Sequence, residues 1–394
     1  MKILSINSEN NNLRFFLFDM KDESIIADGI FERIGLDGST FTIKLNDEKI
    51  VQEIEVATQE DAIPILIDKL ISLEVIKTVD EISGFGHRVV YGKDMFKESV
   101  MVTDDVMAKL DSIKEYTSIY GPVNNLVIAK CKELYPNIPN VAVFDTSFNH
   151  TIEEVNYLYS VPYKWYKDYG IRKYGYHGTS HRYITECVQE ILGRDDFKLI
   201  SCHLGTVGSI SAIKNLECVD TSTGFTPLAG VMTGTKSGDI DPSILPFVME
   251  REGKNVGEIL DDLNRNSGLL GLSEFSSDMR DINAKCDEGD ERALVARAIY
   301  VRKVVNYIAQ YYVLLGGADV IAFTAGIGEN SIPVRRLICE ALAPLGVKID
   351  LDANNSMGEK VKISTDESKV EVWVIPTQEG LMIARDTFNI IKNR

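Results

Sequence analysis

The sequence predicts an α/β protein made of two similar halves, each built on its own sheet. Three observations carry that prediction: a strand–turn–strand segment that occurs twice, alternating strand and helix patterns after each copy, and a length of 394 residues that suggests two or three domains.

The first copy is KILSINSENNNLRFFLF at residues 2–18, and the second is KLISCHLGTVGSISAIK at residues 198–214. Each opens with Lys and a short apolar run bearing Ser at its fourth place. Each then crosses a polar or Gly-bearing stretch and returns as a second apolar run, the signature of an antiparallel hairpin. Asn7 in the first copy falls opposite His203 in the second. A further strand follows each hairpin, over 24–34 and 216–220. Helical periodicity then marks 59–73, 104–113 and 120–134 in the first half, and 256–264, 291–315 and 332–345 in the second. Buried-strand runs recur at 82–91, 140–144, 320–324 and 370–375. A helix over 379–391 follows the last strand, and its place suggests a return to the first domain. The expected domains are 1–148 with 380–394, and 149–379, with a cleft between them that one hairpin turn from each half faces.

Composition narrows the function. Hydrophobic content of 44% and charged content of 26% suit a soluble enzyme with a large core. A net charge of -17 and a pI near 4.9 argue against nucleic acid or an anionic membrane surface as partner. They leave room for an anionic substrate held by a few local cations. The six cysteines form no CxxC pair, so reduced thiols in a cytoplasmic protein are expected. The first residues turn polar too quickly for a signal peptide. The apolar stretch 304–328 contains Gln310, Gly316, Gly317 and Asp319, and reads as a helix and a buried strand rather than a membrane span.

Candidate chemistry gathers in a few places. The five histidines are His87, His150, His177, His181 and His203. Gly175 and Gly178 flank His177, which points to a loop that approaches a ligand closely. His177 and His181 have the spacing of a metal pair on a helix, but Gly178 argues against a helix there. FGHRVVYG puts Arg88 at the end of an apolar strand and VAVFDTSF does the same for Asp145, positions where a charge needs a partner. Gly-containing turns recur at 205–208, 234–238 and 326–330. The last lies between a strand and a helix, an arrangement that offers backbone N–H groups to an anion. The absence of GxxxxGK[ST] argues against a P-loop enzyme.

Together FGHRVVYG, VFDTSF, YGYHGTSH, GFTPLAG, GTKSGDIDP, SSDMRD, FTAGIGEN and IPTQEGLMIARDT resemble the acetate kinases, and the resemblance runs from residue 1 to about 387. It implies a duplicated fold of the sugar-kinase, heat-shock-ATPase and actin type. It also implies a homodimer and reversible phosphoryl transfer from ATP to acetate or another short carboxylate, with Mg²⁺ or Mn²⁺. By the same resemblance Arg88 holds the substrate's anionic groups, and Asp145 orients the attacking carboxylate or handles a proton. His177 and Lys236 stabilise the transferring group. Asn7 and Glu379 position the metal. ATP is held by Arg14, by His203, Leu204, Gly205, Thr206 and Val207, by Asp278, Met279 and Arg280, and by Gly326, Ile327, Gly328, Glu329 and Asn330. Val90, Ile119, Tyr176 and Pro227 form the acyl pocket. Two readings compete: a regulatory protein that binds nucleotide or acyl phosphate, and a kinase for propionate, butyrate or a hydroxylated acid to which the Tyr176 hydroxyl contributes.

Departures from the family pattern fall on the chemistry. Glu9, Asn10, Asn11 and Asn12 stand where Gly-Ser-Ser-Ser is usual, and Arg14 replaces a Lys. Two like charges about 4 Å apart repel by roughly 4 kcal/mol at intermediate dielectric, so Glu9 must turn away, meet a cation or weaken nucleotide binding. Lys236 replaces Arg and loses the planar fork. Thr206 and Val207 replace Asn-Gly, and Val resists a positive φ. Tyr120 replaces His, Tyr91 and Lys93 alter a His-Gly-Gly run, and Tyr176 replaces Phe.

Overall fold

The computed structural model describes residues 1–9, 11–45, 48–114 and 121–393. They form two compact units, Met1–Phe148 with Gln378–Arg394, and Asn149–Thr377.

The first unit carries strands β1 (Lys2–Glu9), β2 (Asn12–Asp19), β3 (Ser24–Glu32), β4 (Thr40–Leu45), β5 (Glu48–Glu53), β6 (Ile82–Val89), β7 (Val100–Met101) and β8 (Asn140–Phe144). Their order in the sheet is β5-β4-β3-β2-β1-β6-β8-β7. Strand alternation sends Leu4 and Ile6 of β1, with Leu13, Phe15 and Leu17 of β2, into one core. Asn7 pairs directly opposite Arg14 on the other face. The core is closed by α1 (Gln59–Ser72) and α3 (Gly121–Leu134), while α2 (Asp104–Ser112) packs on α3. Thr58 and Asp61 form a capping box at the start of α1, a feature that contributes on the order of 1 kcal/mol.

In the second unit, helices α4 (Glu154–Tyr157), α5 (Tyr163–Tyr169) and α6 (Gly178–Leu192) precede strands β9 (Lys198–Leu204), β10 (Gly208–Lys214) and β11 (Glu217–Thr221). Helices α7 (Ile244–Glu252), α8 (Val256–Arg265), α9 (Gly268–Ser273), α10 (Met279–Asp287) and α11 (Glu291–Leu315) follow. The unit ends with β12 (Val320–Thr324), α12 (Ala325–Asn330), α13 (Ile332–Ala341), β13 (Val361–Lys362) and β14 (Glu371–Val374). Its sheet runs β11-β10-β9-β12-β14-β13. Strands β3-β2-β1-β6-β8 and β11-β10-β9-β12-β14 therefore share one order. They also share one set of directions, two antiparallel pairings followed by two parallel ones. The duplication read in two hairpins extends to five strands of each sheet.

Helix α14 (Glu379–Lys392) belongs to the first unit and packs on β1, β6 and β8. Its close approach depends on Gly84 and Gly86. A Cβ at Gly86 would lie 2.3 Å from Thr387 Oγ1 and 2.7 Å from Ile383 Cγ2.

Three local expectations are corrected. A helix does begin at Gly178. The first N–H groups of a helix have no intrahelical partner, so glycine in its first turn forfeits little, and His177 serves as N-cap with φ 58°. The Gly-rich stretch at 326–330 is itself a short helix, α12, entered through Ala325 at φ 64°. The helix expected over 332–345 stops at Ala341, because Pro344 lacks the N–H that a continued helix needs.

Candidate active site

In the first unit the parallel pairing of β6 with β8 brings Arg88, near the end of β6, beside Asp145, the residue after β8. Arg88 Nε and Nη2 donate to Asp145 Oδ2 at 3.0 and 2.6 Å. Arg88 Nη1 donates to Asn7 Oδ1 and to Glu9 Oε1, both at 3.3 Å. Glu379 Oε1 lies 3.9 Å from Arg88 Nη2. Arg88 is 8% exposed, Asp145 is fully buried and Glu9 is 48% exposed. Burial works against the guanidinium charge, but Asp145, Glu379 and Glu9 outweigh it and raise the Arg88 pKa. Burial also raises the Glu379 carboxyl, with Asp145 and Glu9 adding to the rise and Arg88 opposing it.

The structure chooses among the three fates open to Glu9: it meets a cation, and that cation is Arg88. Asn10 lies outside the described residues. Asn11 donates to the Ile34 carbonyl at 2.9 Å and Asn12 accepts from the Arg33 N–H at 3.4 Å, so their side chains brace the hairpin. Asn12 keeps a negative φ. Lys93, which stands where the family has Gly, takes a positive φ of 53°, a conformation that costs a side chain about 1–2 kcal/mol. Arg14 is exposed on β2. Val90 is buried, and its N–H donates to Asn124 Oδ1 at 3.3 Å. Ile119 and Tyr120 lie outside the described residues.

A divalent metal fits the first unit's donors. Glu379 Oε1 is buried with no hydrogen-bond partner among the described residues, and Asn7 supplies an amide oxygen. Three carboxylates crowd one guanidinium, so further positive charge is electrostatically favoured. Among the described residues no three His, Cys, Asp or Glu side chains form a closed cage. That suits Mg²⁺, which commonly takes one or two protein oxygens and completes its shell with water and phosphate.

In the second unit the polar face of the β9–β10 hairpin lies under the start of α6. His203 pairs opposite Ser209 and Ser201 opposite Ser211, while Ile200, Cys202, Leu204, Ile210 and Ala212 face the core. His177 Nδ1 lies 2.8 Å from Ser209 Oγ, which lies 2.8 Å from His181 Nε2. His181 Nδ1 lies 2.8 Å from Ser201 Oγ. His203 Nδ1 bonds Ser180 Oγ at 2.8 Å, and the His177 and His203 rings stack with centroids 4.3 Å apart. Burial pushes the His181 pKa well below the usual imidazole range, and His203 adds to the fall.

Lys236 is buried and donates to Asn264 Oδ1 at 3.2 Å; burial and then Arg265 lower its pKa. The Tyr176 hydroxyl donates to the Phe225 carbonyl at 3.0 Å, so its proton is already placed within the protein. Pro227 is half-buried in the loop after β11.

A cavity of about 730 Å³, within the usual range for small-molecule sites, opens in the same unit. Of the residues expected at ATP, Thr206, Asp278, Met279, Arg280, Gly326, Ile327 and Asn330 line it, together with Asn283 and Met357. His203, Leu204, Gly205, Val207, Gly328 and Glu329 do not. Glu329 Oε1 instead accepts from the Ala325 and Thr377 N–H groups at 2.7 and 3.0 Å. Gly205, Thr206 and Val207 all keep negative φ, so the turn makes no demand that Val207 cannot meet. Arg280 is 90% exposed and pairs with Asp278 at 2.5 Å. Arg335, which the sequence reading passed over, is fully buried and donates to the Gly328 and Glu329 carbonyls at 3.1 and 2.8 Å, pinning the end of α12.

The family model of the acetokinase family matches residues 2–385. The chain belongs to the acetokinase family. The acetate kinase of Bacillus cytotoxicus is 47% identical over 391 residues, covering 99% of this chain and 98% of that protein. The crystal structure of Porphyromonas gingivalis acetate kinase matches with a TM-score of 0.93 at 38% identity over 99% of both chains. That of a propionate kinase from Francisella tularensis matches with a TM-score of 0.94 at 35% identity, again over 99% of both. Membership in the acetokinase family makes this chain a kinase with a carboxyl acceptor, and favours that reading over a regulatory protein. An ATP/ADP co-substrate and a divalent metal go with the acetokinase family. No helix among the described residues is long and apolar enough to cross a membrane.

Proposed function

We propose that this protein is an acetate kinase that moves a phosphoryl group between ATP and acetate with Mg²⁺, in the cytoplasm and as a homodimer. The observation that carries the substrate-side reading is the two-sided grip on Arg88. Asp145 holds the Nε/Nη2 side by two bonds, while among the described residues the Nη1 side meets Asn7 and a half-exposed Glu9, both at 3.3 Å. In this reading Asp145 fixes the guanidinium, and a substrate anion takes the Nη1 side by displacing Glu9. The attacking carboxylate is already ionised at neutral pH, so positioning and cationic stabilisation supply most of the rate. His177 and Lys236 face the equatorial oxygens of the transferring group. Asn7 and Glu379 would hold Mg²⁺, which when bound neutralises phosphate charge. The cavity beside α10 and α12 takes the nucleoside.

The homodimer is the state that the family resemblance implies. A mass near 44 kDa in solution, that of one chain, would rule the dimer out.

The test of the activity uses purified protein, ATP, Mg²⁺ and a panel of C2 to C4 carboxylates, with acyl phosphate trapped as hydroxamate. Product with acetate is expected. No hydroxamate from any acid in either direction would sink the reading. A preference for propionate would move the assignment toward the Francisella tularensis relative.

A further inference from the structure

The buried imidazoles and hydroxyls of the second unit form one chain, Ser201–His181–Ser209–His177, with 2.8 Å at every link. Three proton arrangements are open to such a chain, because each hydroxyl donates one proton and accepts up to two bonds, and each neutral imidazole donates from one nitrogen.

In one arrangement Ser201 donates to His181 Nδ1, His181 Nε2 donates to Ser209, and Ser209 donates to His177 Nδ1. Every proton within the three links then has an acceptor, and His177 carries its own proton on Nε2. In a second arrangement His177 Nδ1 donates to Ser209, Ser209 donates to His181 Nε2, and His181 Nδ1 donates to Ser201; in a third, the fully buried Ser209 accepts from both rings and its own proton has no acceptor among the described residues. In the second arrangement the Ser201 hydroxyl proton is buried without an acceptor, since His181 is the hydrogen-bond partner recorded for that fully buried oxygen among the described residues. A buried unsatisfied donor carries its full desolvation cost. Protonating His177 on both nitrogens makes Nδ1 a donor to Ser209, which strands one buried hydroxyl proton at Ser209 or Ser201, and sets a charge against the parallel His203 ring 4.3 Å away.

We propose that Ser201, His181 and Ser209 are positioning residues that hold His177 neutral, with its proton on Nε2. That tautomer presents an N–H donor to a phosphoryl oxygen. The value of this for catalysis rests on the kinase reading, but the tautomer itself does not. The depressed basicity of His181 agrees, because a neutral ring is what the chain requires.

The wild-type protein decides the matter without any mutation in the chain. Protein labelled with ¹⁵N at histidine is examined at pH 7.5 by long-range ¹H–¹⁵N correlation, with the His177 signals assigned from a His177→Asn spectrum. The expected pattern is a bare Nδ1 and a protonated Nε2, by roughly tenfold or more, the ratio that one stranded buried donor imposes. A protonated Nδ1 overturns the proposal. Ser201→Ala removes the hydroxyl that sets the direction, so His177 should then populate both tautomers. Ser209→Ala should lower kcat by roughly ten- to a hundredfold, the scale on which partners that fix a histidine's tautomer act, with KM for the acid within about twofold. An unchanged kcat in Ser209→Ala would also overturn the proposal. A wild-type protein with no kinase activity but the Nε2–H signature would refute the kinase reading and leave the tautomer assignment standing.

Discussion

The hairpins β1–β2 and β9–β10 hold the same place in sheets of the same order, and each has a helix N-terminus on its polar face, yet their chemistry is opposite. In the first unit the polar face bears Asn7 opposite Arg14, α14 brings Glu379, and Glu9, Asp145 and Glu379 surround Arg88. In the second it bears His203 opposite Ser209, α6 brings His177 and His181, and every link joins a hydroxyl to an imidazole. One half holds charge in balance and, in the proposed reading, exchanges a partner to bind. The other is already satisfied and holds donors in a fixed orientation. Losing a partner should therefore harm the first half through stability as well as rate, and the second through rate first.

The largest expected effects are on turnover. Arg88→Ala and His177→Ala should each lower hydroxamate formation by roughly 10²- to 10³-fold, the scale of a lost transition-state cation or donor. Unchanged rates in both would break the assignment in both units. Stability separates the halves more sharply. Asp145→Ala strands a buried guanidinium and should cost about 3 to 5 kcal/mol. Ser209→Ala removes a neutral link and should cost about 1 to 3 kcal/mol. Urea unfolding of the two variants compares them, and equal losses would erase the distinction.

Acid should affect both halves alike. Burial lowers the His87 pKa to about 4 against an Asn140 hydrogen bond that raises it, and His181 is depressed in the same sense. A depressed folded pKa means the unfolded chain binds the proton first. Stability from His87 is thus whole above about pH 6.5 and falls as pH drops toward 4, by up to roughly 3 kcal/mol. Unfolding midpoints measured at pH 7.5, 6 and 5 check this, and His87→Gln should flatten part of the slope.

The smallest expected effect is at Glu9. A half-exposed ion pair is worth about 1 kcal/mol or less, so Glu9→Gly should lower KM for the acid by only a few-fold. Added salt should weaken the same contact and narrow the gap between variant and wild type, while leaving the buried Arg88–Asp145 pair intact. A KM that rises in Glu9→Gly would show that Glu9 helps to hold the substrate.

Much of this was legible in the sequence because it is periodic. The hairpins, the strands at 140–144 and 320–324 and the 25-residue α11 follow from apolar runs and alternation. The second cluster was also written there, less visibly. Ser201 and His203, then Ser209 and Ser211, occupy every other place in two strands that are otherwise apolar, which marks one polar face buried beneath something. Gly178 hid the rest, because a glycine read as a breaker also serves at the start of a helix, and α6 is what lays His181 on that face. The clamp by Arg335 had no local signal. Its carbonyl partners at Gly328 and Glu329 are set by the path of α12, and those at Asn354 and Ser356 come from a distant loop. Glu9 was noticed as a misfit, but only the meeting of β1 with β6 reveals that Arg88 receives it.

The seat that Gly84 and Gly86 provide for α14 has a consequence for how the molecule is made. Residues 1–148 leave the ribosome first, yet the surface of β1, β6 and β8 beneath α14 stays uncovered, and Glu379 absent, until the whole second unit has been synthesised. The first unit is thus begun before the second and finished after it. A nascent chain stalled between residues 145 and 379 carries Arg88 and Asp145 without the carboxylate that completes their cluster.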